Sequence, residues 1–256
     1  RLLSPQTSAW DWVVGVYHFK QEVASDSTQL IYRTSSSAPA TAPSPLPYEL
    51  TSRVADLDSL AVFGDLTVPV SERVNVFGGV RYTEDDKDYH VWNDGSDLSN
   101  AFVEASEIYD VMVSDTFSAV TWRAGANSDL MDDVLLYAQV ARGFKSGGFQ
   151  NTPENAAEAQ VPYDPEFATQ YEIGQKGTFF DGRLIWNNSI YYTDYTDLQT
   201  RQQVGFGTVT LNAGAATIKG YETQLVVLPF EGAQVAVNYG YTDAKFDELI
   251  QSGEDL

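Results

Sequence analysis

The densest run of ionisable side chains is Glu84-Asp85-Asp86-Lys87-Asp88, followed at once by Tyr89, His90 and Trp92. Clustered carboxylates are hard oxygen ligands of the kind calcium takes, but the run lacks the spacing and the glycine of an EF-hand loop. A solvated external loop is the simpler reading. Tyr89, His90 and Trp92 could stack on a ligand at an external mouth; a loop tip or an interfacial aromatic cluster would use the same residue types. His18 and His90 are the only histidines, they lie far apart, and there is no HExxH or Cys/His cluster, so no metal site is expected. Gly143, Gly147 and Gly148 surround Lys145, but the spacing is not that of a phosphate loop and no apolar helix follows. These glycines read as strand-end or bend residues. Asp194 and Asp197 could be taken for a glycosidase pair, yet an acidic chain supplies such pairs by chance. There is no nucleophile elbow. The chain is therefore read as no enzyme, with no cofactor.

The elements that would carry these residues show most clearly between Pro165 and Phe246. Phe167, Thr169, Tyr171, Ile173 and Phe179 alternate with Gln170, Glu172, Gly174 and Lys176. Leu184, Trp186, Ile190 and Tyr192 oppose Asn187, Ser189 and Thr193. Tyr221, Thr223, Leu225 and Val227 oppose Gly220, Glu222 and Gln224, and Val235, Val237, Tyr239 and Tyr241 oppose Gln234, Asn238 and Thr242. A period of two means strands, not helices. Asp181-Gly182 between the first two runs is a hairpin signal. Each run exceeds the usual strand of about 5–6 residues, and roughly ten tilted residues are enough to cross a bilayer.

Earlier in the chain the same pattern recurs. Arg1-Leu2-Leu3 reads as the tail of a strand, and Trp10 to Glu22 as the first full one. Ser35 to Pro47 is rich in Ser, Ala and Pro and reads as a loop that cannot join a ladder. Leu60 to Val70 alternates, turns tightly at Ser71-Glu72, and resumes from Val74 to Tyr82. Thr83 to Val113 is mostly polar and acidic. Asp115 to Ala124 is a strand, Gly125 to Asp132 a turn, Val134 to Phe144 a strand, and Ser146 to Asp164 a loop. The connections near 71, 128, 181 and 231 are short. Those near 35, 100, 155 and 203, and the tail after 247, are longer. Short turns at one end and long loops at the other are the signature of an up-and-down membrane barrel.

The formal charge is −21 and there is no cysteine. Disulfide scaffolds and thiolate metal sites are excluded. An acidic chain has no surface for phosphate backbones, so no nucleic acid is expected. No run of about 18 apolar residues marks a transmembrane helix, which leaves the weak hydropathy of a barrel untouched. About nine full strands do not close an even-numbered barrel, and an open edge in lipid costs several kcal/mol per unpaired group. The chain is thus expected to be a piece of a larger barrel.

Five stretches, in order, carry a family resemblance: RLLSPQTSAWDWVVGVYHF, LTVPVSERVNVFGGVRYTEDDK, LLYAQVARGFKSGGFQ, PEFATQYEIGQKGTFFDGRLIWNNSIYYTDYTDLQ and NAGAATIKGYETQLVVLPFEG. Together they resemble the barrel domain of TonB-dependent outer-membrane receptors. The resemblance implies a barrel of about 22 strands whose lumen is plugged. It implies that residues 1–256 are one all-β domain, a partial antiparallel up-and-down transmembrane β-barrel without its plug domain or C-terminal strands. It also implies uptake of a scarce ligand, most often a ferric siderophore, across the outer membrane of a Gram-negative bacterium. The partners implied are the TonB complex, acting through a plug, outer-membrane lipid and the small ligand. Arg81, Glu172 and Glu222 lie on polar strand faces inside these motifs, and Arg123 on a less polarised strand. Charge on a lipid face costs about 2–4 kcal/mol for Arg, so all four should face the lumen, either paired with the plug or as a solvated wall. The rival readings are a passive porin-like channel and a soluble extracellular β-sheet domain that binds glycans.

Overall fold

Long alternating runs leave every backbone N–H and C=O in need of a partner, and neighbouring strands provide it. A computed structural model of the chain describes residues 1–31, 46–93, 108–153, 155–204 and 207–249. The main sheet contains β1 (Leu2–Leu3), β2 (Asp11–Ile31), β3 (Leu46–Pro69), β4 (Val74–Asn93), β5 (Tyr109–Met131), β6 (Val134–Lys145), β7 (Glu166–Phe179) and β8 (Leu184–Thr196). β9 (Gln199–Val204) and β10 (Gly207–Asn212) form a hairpin of their own, after which β11 (Gly214–Val227) and β12 (Val235–Leu249) complete the main sheet. Every pairing is antiparallel between neighbours in an up-and-down order, and the sheet is open, with β1 and β12 at its edges. Apart from the two-residue β1, the main sheet has nine full strands among the described residues, as the alternation led us to expect.

The register sorts the side chains onto two faces. One carries Val16, Val62, Tyr82 and Val120 in a single row across β2 to β5, and Ile173, Ile190, Tyr221 and Tyr241 in a row across β7 to β12. These side chains are not packed against a second layer; Val16, Tyr171, Ile190 and Tyr239 are each more than half exposed. On β2 and β4 the apolar face gives way to His18, Lys20 and Glu22, and to Glu84, Asp86 and Asp88. Lys20 and His18 both reach Asp58 there, at 2.6 and 2.7 Å. The band of apolar side chains therefore ends at Tyr82 on β4, and the rest of that strand projects past it.

The other face is polar and rich in glycine. Phe63, Phe77, Tyr137 and Tyr191 each lie across a glycine of the adjacent strand: Gly15, Gly125, Gly174 and Gly220. A Cβ at any of the four would come within 2.5 Å of that aromatic side chain. Each ring thus covers a neighbour's bare backbone, which stiffens a sheet that has no second layer.

The turn at Phe180–Arg183 holds Phe180, Asp181 and Gly182 at positive φ of 54°, 53° and 84°. Asp181-Gly182 is thus the hairpin turn read from the sequence, with an extra left-handed residue before it.

Four readings change. Gly125 to Asp132 is not a turn: β5 runs on to Met131, and only Asp132 and Asp133 separate it from β6. Its small residues hide the alternation because the Phe77 ring fills the space above Gly125. Thr83 to Asn93 and Tyr109 to Val113 are strand, the projecting ends of β4 and β5. The connection near 203 contains the β9–β10 hairpin. Of the Ser/Ala/Pro stretch, residues 35–45 lie outside the described residues, and Leu46 and Pro47 already pair with β2.

Candidate functional site

Period two dictates which charges can meet. Arg81, Arg123, Glu172 and Glu222 all stand on the polar face. Arg81 lies two residues from Gly79, which pairs with Arg123. Across β6 and β7 the same face reaches Glu172, and across β8 it reaches Glu222. Asp65, Gly79 and Arg123 occupy one row, and the absent side chain at Gly79 lets the outer two join above it. Arg123 donates Nε to Asp65 Oδ2 at 2.7 Å and Nη2 to Oδ1 at 2.9 Å. Its guanidinium also lies over the Phe77 ring. Glu172 accepts from the Tyr137 hydroxyl and, at 3.4 and 3.3 Å, from Gln139 and Gln170. Arg81 donates Nε to Thr83 Oγ1 at 2.9 Å. Among the described residues neither Arg81 nor Glu222 has an ion-pair partner. Small residues at Gly79, Ala141, Gly143 and Ala168 floor a shallow cleft of about 580 Å³ beside Arg81.

Tyr89, His90 and Trp92 are not brought together. Tyr89 points to the polar face, His90 and Trp92 to the other. Tyr89 is buried; its ring stacks on Phe149 at 5.4 Å and its hydroxyl donates to Gln150 O at 2.9 Å. His90 meets Trp92 at 4.5 Å between ring centroids and Asp110 at 2.7 Å. The acidic run is divided the same way. Asp85 and Lys87 face one side, Glu84, Asp86 and Asp88 the other, and among the described residues no three carboxylates are placed to hold one metal ion.

What the sequence did not reveal is the arm between β6 and β7. Residues 146–153 and 155–163 fold over the polar face of projecting β4 and β5. Tyr89, Val91, Tyr109, Val111, Phe149 and Ala159 form the buried apolar cluster there. Four side chains hold the arm by its carbonyls: Lys87 at Gly147, Tyr89 at Gln150, Arg53 at Asn151 and Tyr109 at Pro153. Gly147 and Gly148 are needed because a Cβ would strike Phe117 or Tyr163. Gln150, 1% exposed, receives the Thr210 N–H at 2.7 Å and donates to Thr210 O at 3.0 Å. Its amide thus clasps β10 as a strand would. The short helix α1 (Ala156–Ala159) is capped by Asn155, which accepts from Ala157 N and Glu158 N at 3.0 Å. Burial pushes the Tyr89 hydroxyl up to about 12 and the Lys87 ammonium down, Asp85 opposing the latter.

The sequence pattern of the family described as "TonB dependent receptor-like, beta-barrel" matches residues 3–256. The chain belongs to the TonB-dependent receptors. Relatives of this receptor chain include the pesticin receptor of Yersinia enterocolitica, 30% identical over 182 residues. That match covers 70% of the chain and 25% of the relative, so the chain spans about a quarter of that receptor's length. Among solved structures, the ferric yersiniabactin uptake receptor FyuA of Yersinia pestis superposes with a TM-score of 0.77 at 21% identity, over 96% of this chain and 34% of that one. The siderophore receptor PiuA of Acinetobacter baumannii gives 0.66 at 18%, over 97% and 38%. These likenesses show the fold: an unclosed part of a TonB-dependent receptor barrel. TonB-dependent receptors are outer-membrane transport proteins of Gram-negative bacteria, not enzymes. A soluble sandwich would have to cover the Val, Ile and Tyr side chains that this receptor sheet leaves bare on one whole face.

Proposed function

We propose that this chain is part of the wall of an outer-membrane receptor that imports a ferric siderophore, with energy delivered by the TonB complex through a plug. One observation carries the reading. A single-layered sheet bares apolar side chains on one face and gathers Arg81, Arg123, Glu172 and Glu222 on the other. The apolar face meets lipid; the polar face lines a lumen occupied by the plug. Glu222, which forms no ion pair among the described residues, receives a basic side chain of the plug there. Relatives described as siderophore receptors favour the ligand class.

The test is radioactive-iron uptake in cells carrying the full-length receptor as their sole siderophore receptor. Saturable uptake of a ferric siderophore that stops when the proton-motive force is collapsed, or when TonB is deleted, supports the reading. Linear, energy-independent entry of small solutes would instead identify a passive porin-like channel. Recovery of the full-length protein outside the outer-membrane fraction would sink both.

A further inference from the structure

The apolar face holds one pair of amides at the depth where polar groups are most costly. Outward side chains within residues 12–16, 62–68, 76–82, 120–126 and 136–140 are all aliphatic or aromatic, or the residue is glycine. On β7 and β8 that pattern breaks. Gln175 and Asn188 stand directly opposite each other, on the face that carries Ile173 and Ile190. Gln175 is midway between Tyr171 and Phe179, and Asn188 midway between Leu184 and Tyr192. Each span is close to the roughly ten tilted residues that cross a bilayer, which puts both amides near the midplane. Lys219 and Asp243, in register with Tyr192, mark where the polar surface resumes. Further strands would extend the sheet at its edges, and a plug would occupy the opposite face. β7 and β8 lie well inside the sheet, so neither would cover this pair.

The two amides satisfy each other only in part. Asn188 Nδ2 donates to Gln175 Oε1 at 2.7 Å, and Gln175 Nε2 donates to the Trp186 carbonyl at 3.2 Å. Gly177 permits this, because a Cβ there would strike Gln175 Nε2. A primary amide has two N–H donors and a carbonyl with two lone pairs. Among the described residues Asn188 Oδ1 accepts no hydrogen bond, and each amide keeps a second N–H. We propose that Asn188 and Gln175 form the centre of a lateral interface between two copies of this receptor, side by side in the membrane. The inference rests on the lipid assignment of the apolar face above. In hydrocarbon an open amide has no water to bond, and polar side chains at that depth are satisfied across protein contacts. Symmetry favours a second copy as the occupant. Two copies inserted in the same direction, related by a two-fold axis along the membrane normal, hold equivalent residues at equal depth. Each Asn188 then meets an amide at its own level, and a primary amide is complementary to itself, N–H to open C=O. Trp186 and Ile190, 42% and 58% exposed, flank the pair and supply apolar contact around it.

The test counts photobleaching steps of the singly dye-labelled full-length receptor in lipid vesicles over a range of receptor densities. Asn188→Leu and Gln175→Leu remove an amide while suiting lipid. Asn188→Gln keeps the amide, and Val80→Ala alters the apolar face away from the pair. Heat-modifiable gel mobility checks that each variant is an assembled barrel before it is counted. The expected result is density-dependent two-step bleaching in the wild type and Val80→Ala, dimerisation weakened at least tenfold in both leucine variants, and partial recovery in Asn188→Gln. A wild type that stays monomeric at every density, a dimer indifferent to the leucine variants, or equal weakening by Val80→Ala overturns the interface. None of these touches the receptor reading, which iron uptake decides. In cells, a photo-crosslinking amino acid in place of Ile190, beside the pair, identifies the occupant. A product of twice the receptor's mass supports the second copy; attachment to a different protein, or to lipid alone, overturns it. Recovery of the full-length protein outside the outer-membrane fraction overturns both readings.

Discussion

At the scale of single residues, Gln150 and Tyr89 do the work that the acidic run seemed to offer. Gln150 lies between two connections that share no continuous strand, and its amide supplies the bonds a strand would have made. Replacing it with leucine keeps the volume but leaves the Thr210 N–H and C=O unpaired, at about 1–3 kcal/mol for each buried group. The expected outcome in Gln150→Leu is faster protease cleavage within residues 146–163 on intact cells, with the assembled receptor's resistance to unfolding in cold detergent unchanged. Tyr89 adds a pH dependence beyond the apolar band. Its hydroxyl stays protonated up to about 12, because burial disfavours the phenolate, while an unfolded tyrosine ionises near 10. The raised value means that Tyr89's contribution is complete below about pH 10 and is lost as pH climbs toward 12. Hydrogen exchange in the arm should therefore accelerate over that interval in the wild type. In Tyr89→Phe, which lacks the hydroxyl, that step should be smaller, the remainder coming from Tyr163 in the arm, whose hydroxyl burial also raises.

At the scale of the element, the governing fact is that one residue's shift changes the face. Ile190 and Ser189 are neighbours on β8, yet one belongs to the bare apolar side and the other to the polar wall. Ile190→Arg should cost about 2–4 kcal/mol near mid-membrane and lower the yield of assembled receptor in the outer membrane. Ser189→Arg, one position away, should assemble at close to the wild-type level. The same alternation decided what could be read in advance. β7, β8, β11 and β12 were legible because large apolar residues recur at every second position over part of each strand, as at Val235, Val237, Tyr239 and Tyr241. The distal half of β5 was not, since Gly125, Ala126, Asn127 and Ser128 contrast too little with one another. β9 carries mostly polar residues on both faces, and β10 alternates only over Thr208 to Asn212, too short a run to stand out. The four wall charges could be placed together from period two alone. Tyr89, His90 and Trp92 looked like one cluster because they are close in sequence; that same period keeps His90 with Trp92 and turns Tyr89 to the opposite face. The arm's role was invisible because its contacts are carbonyls, which every residue has; only their long-range partners make them special.

At the scale of the whole molecule, the open sheet sets a condition on stability. β12, and β2 beyond its two-residue pairing with β1, each have an outward edge of backbone groups that no described strand fulfils. Within lipid such groups cost several kcal/mol each. Residues 1–256 produced alone should therefore fail to give the compact, heat-modifiable species of a closed barrel in lipid vesicles, and should instead associate edge to edge. Gel mobility before and after boiling, compared with the full-length receptor, decides this; a monomeric, heat-modifiable band from this stretch would contradict it.

The docked arm also bears on how the wall comes together. Its anchors Arg53, Lys87, Tyr89 and Tyr109 sit on three strands, and all must face the same way for the arm to seat. If β5 paired with β4 one position out of step, Tyr109 and Val111 would turn away and Phe149 would lose part of its cluster. Strand pairing between β4 and β5 cannot sense that error locally, because hydrogen bonds form in either alignment. The arm can. It acts as a gauge of register, rewarding one alignment of the projecting strands and withholding its apolar core from the misaligned ones.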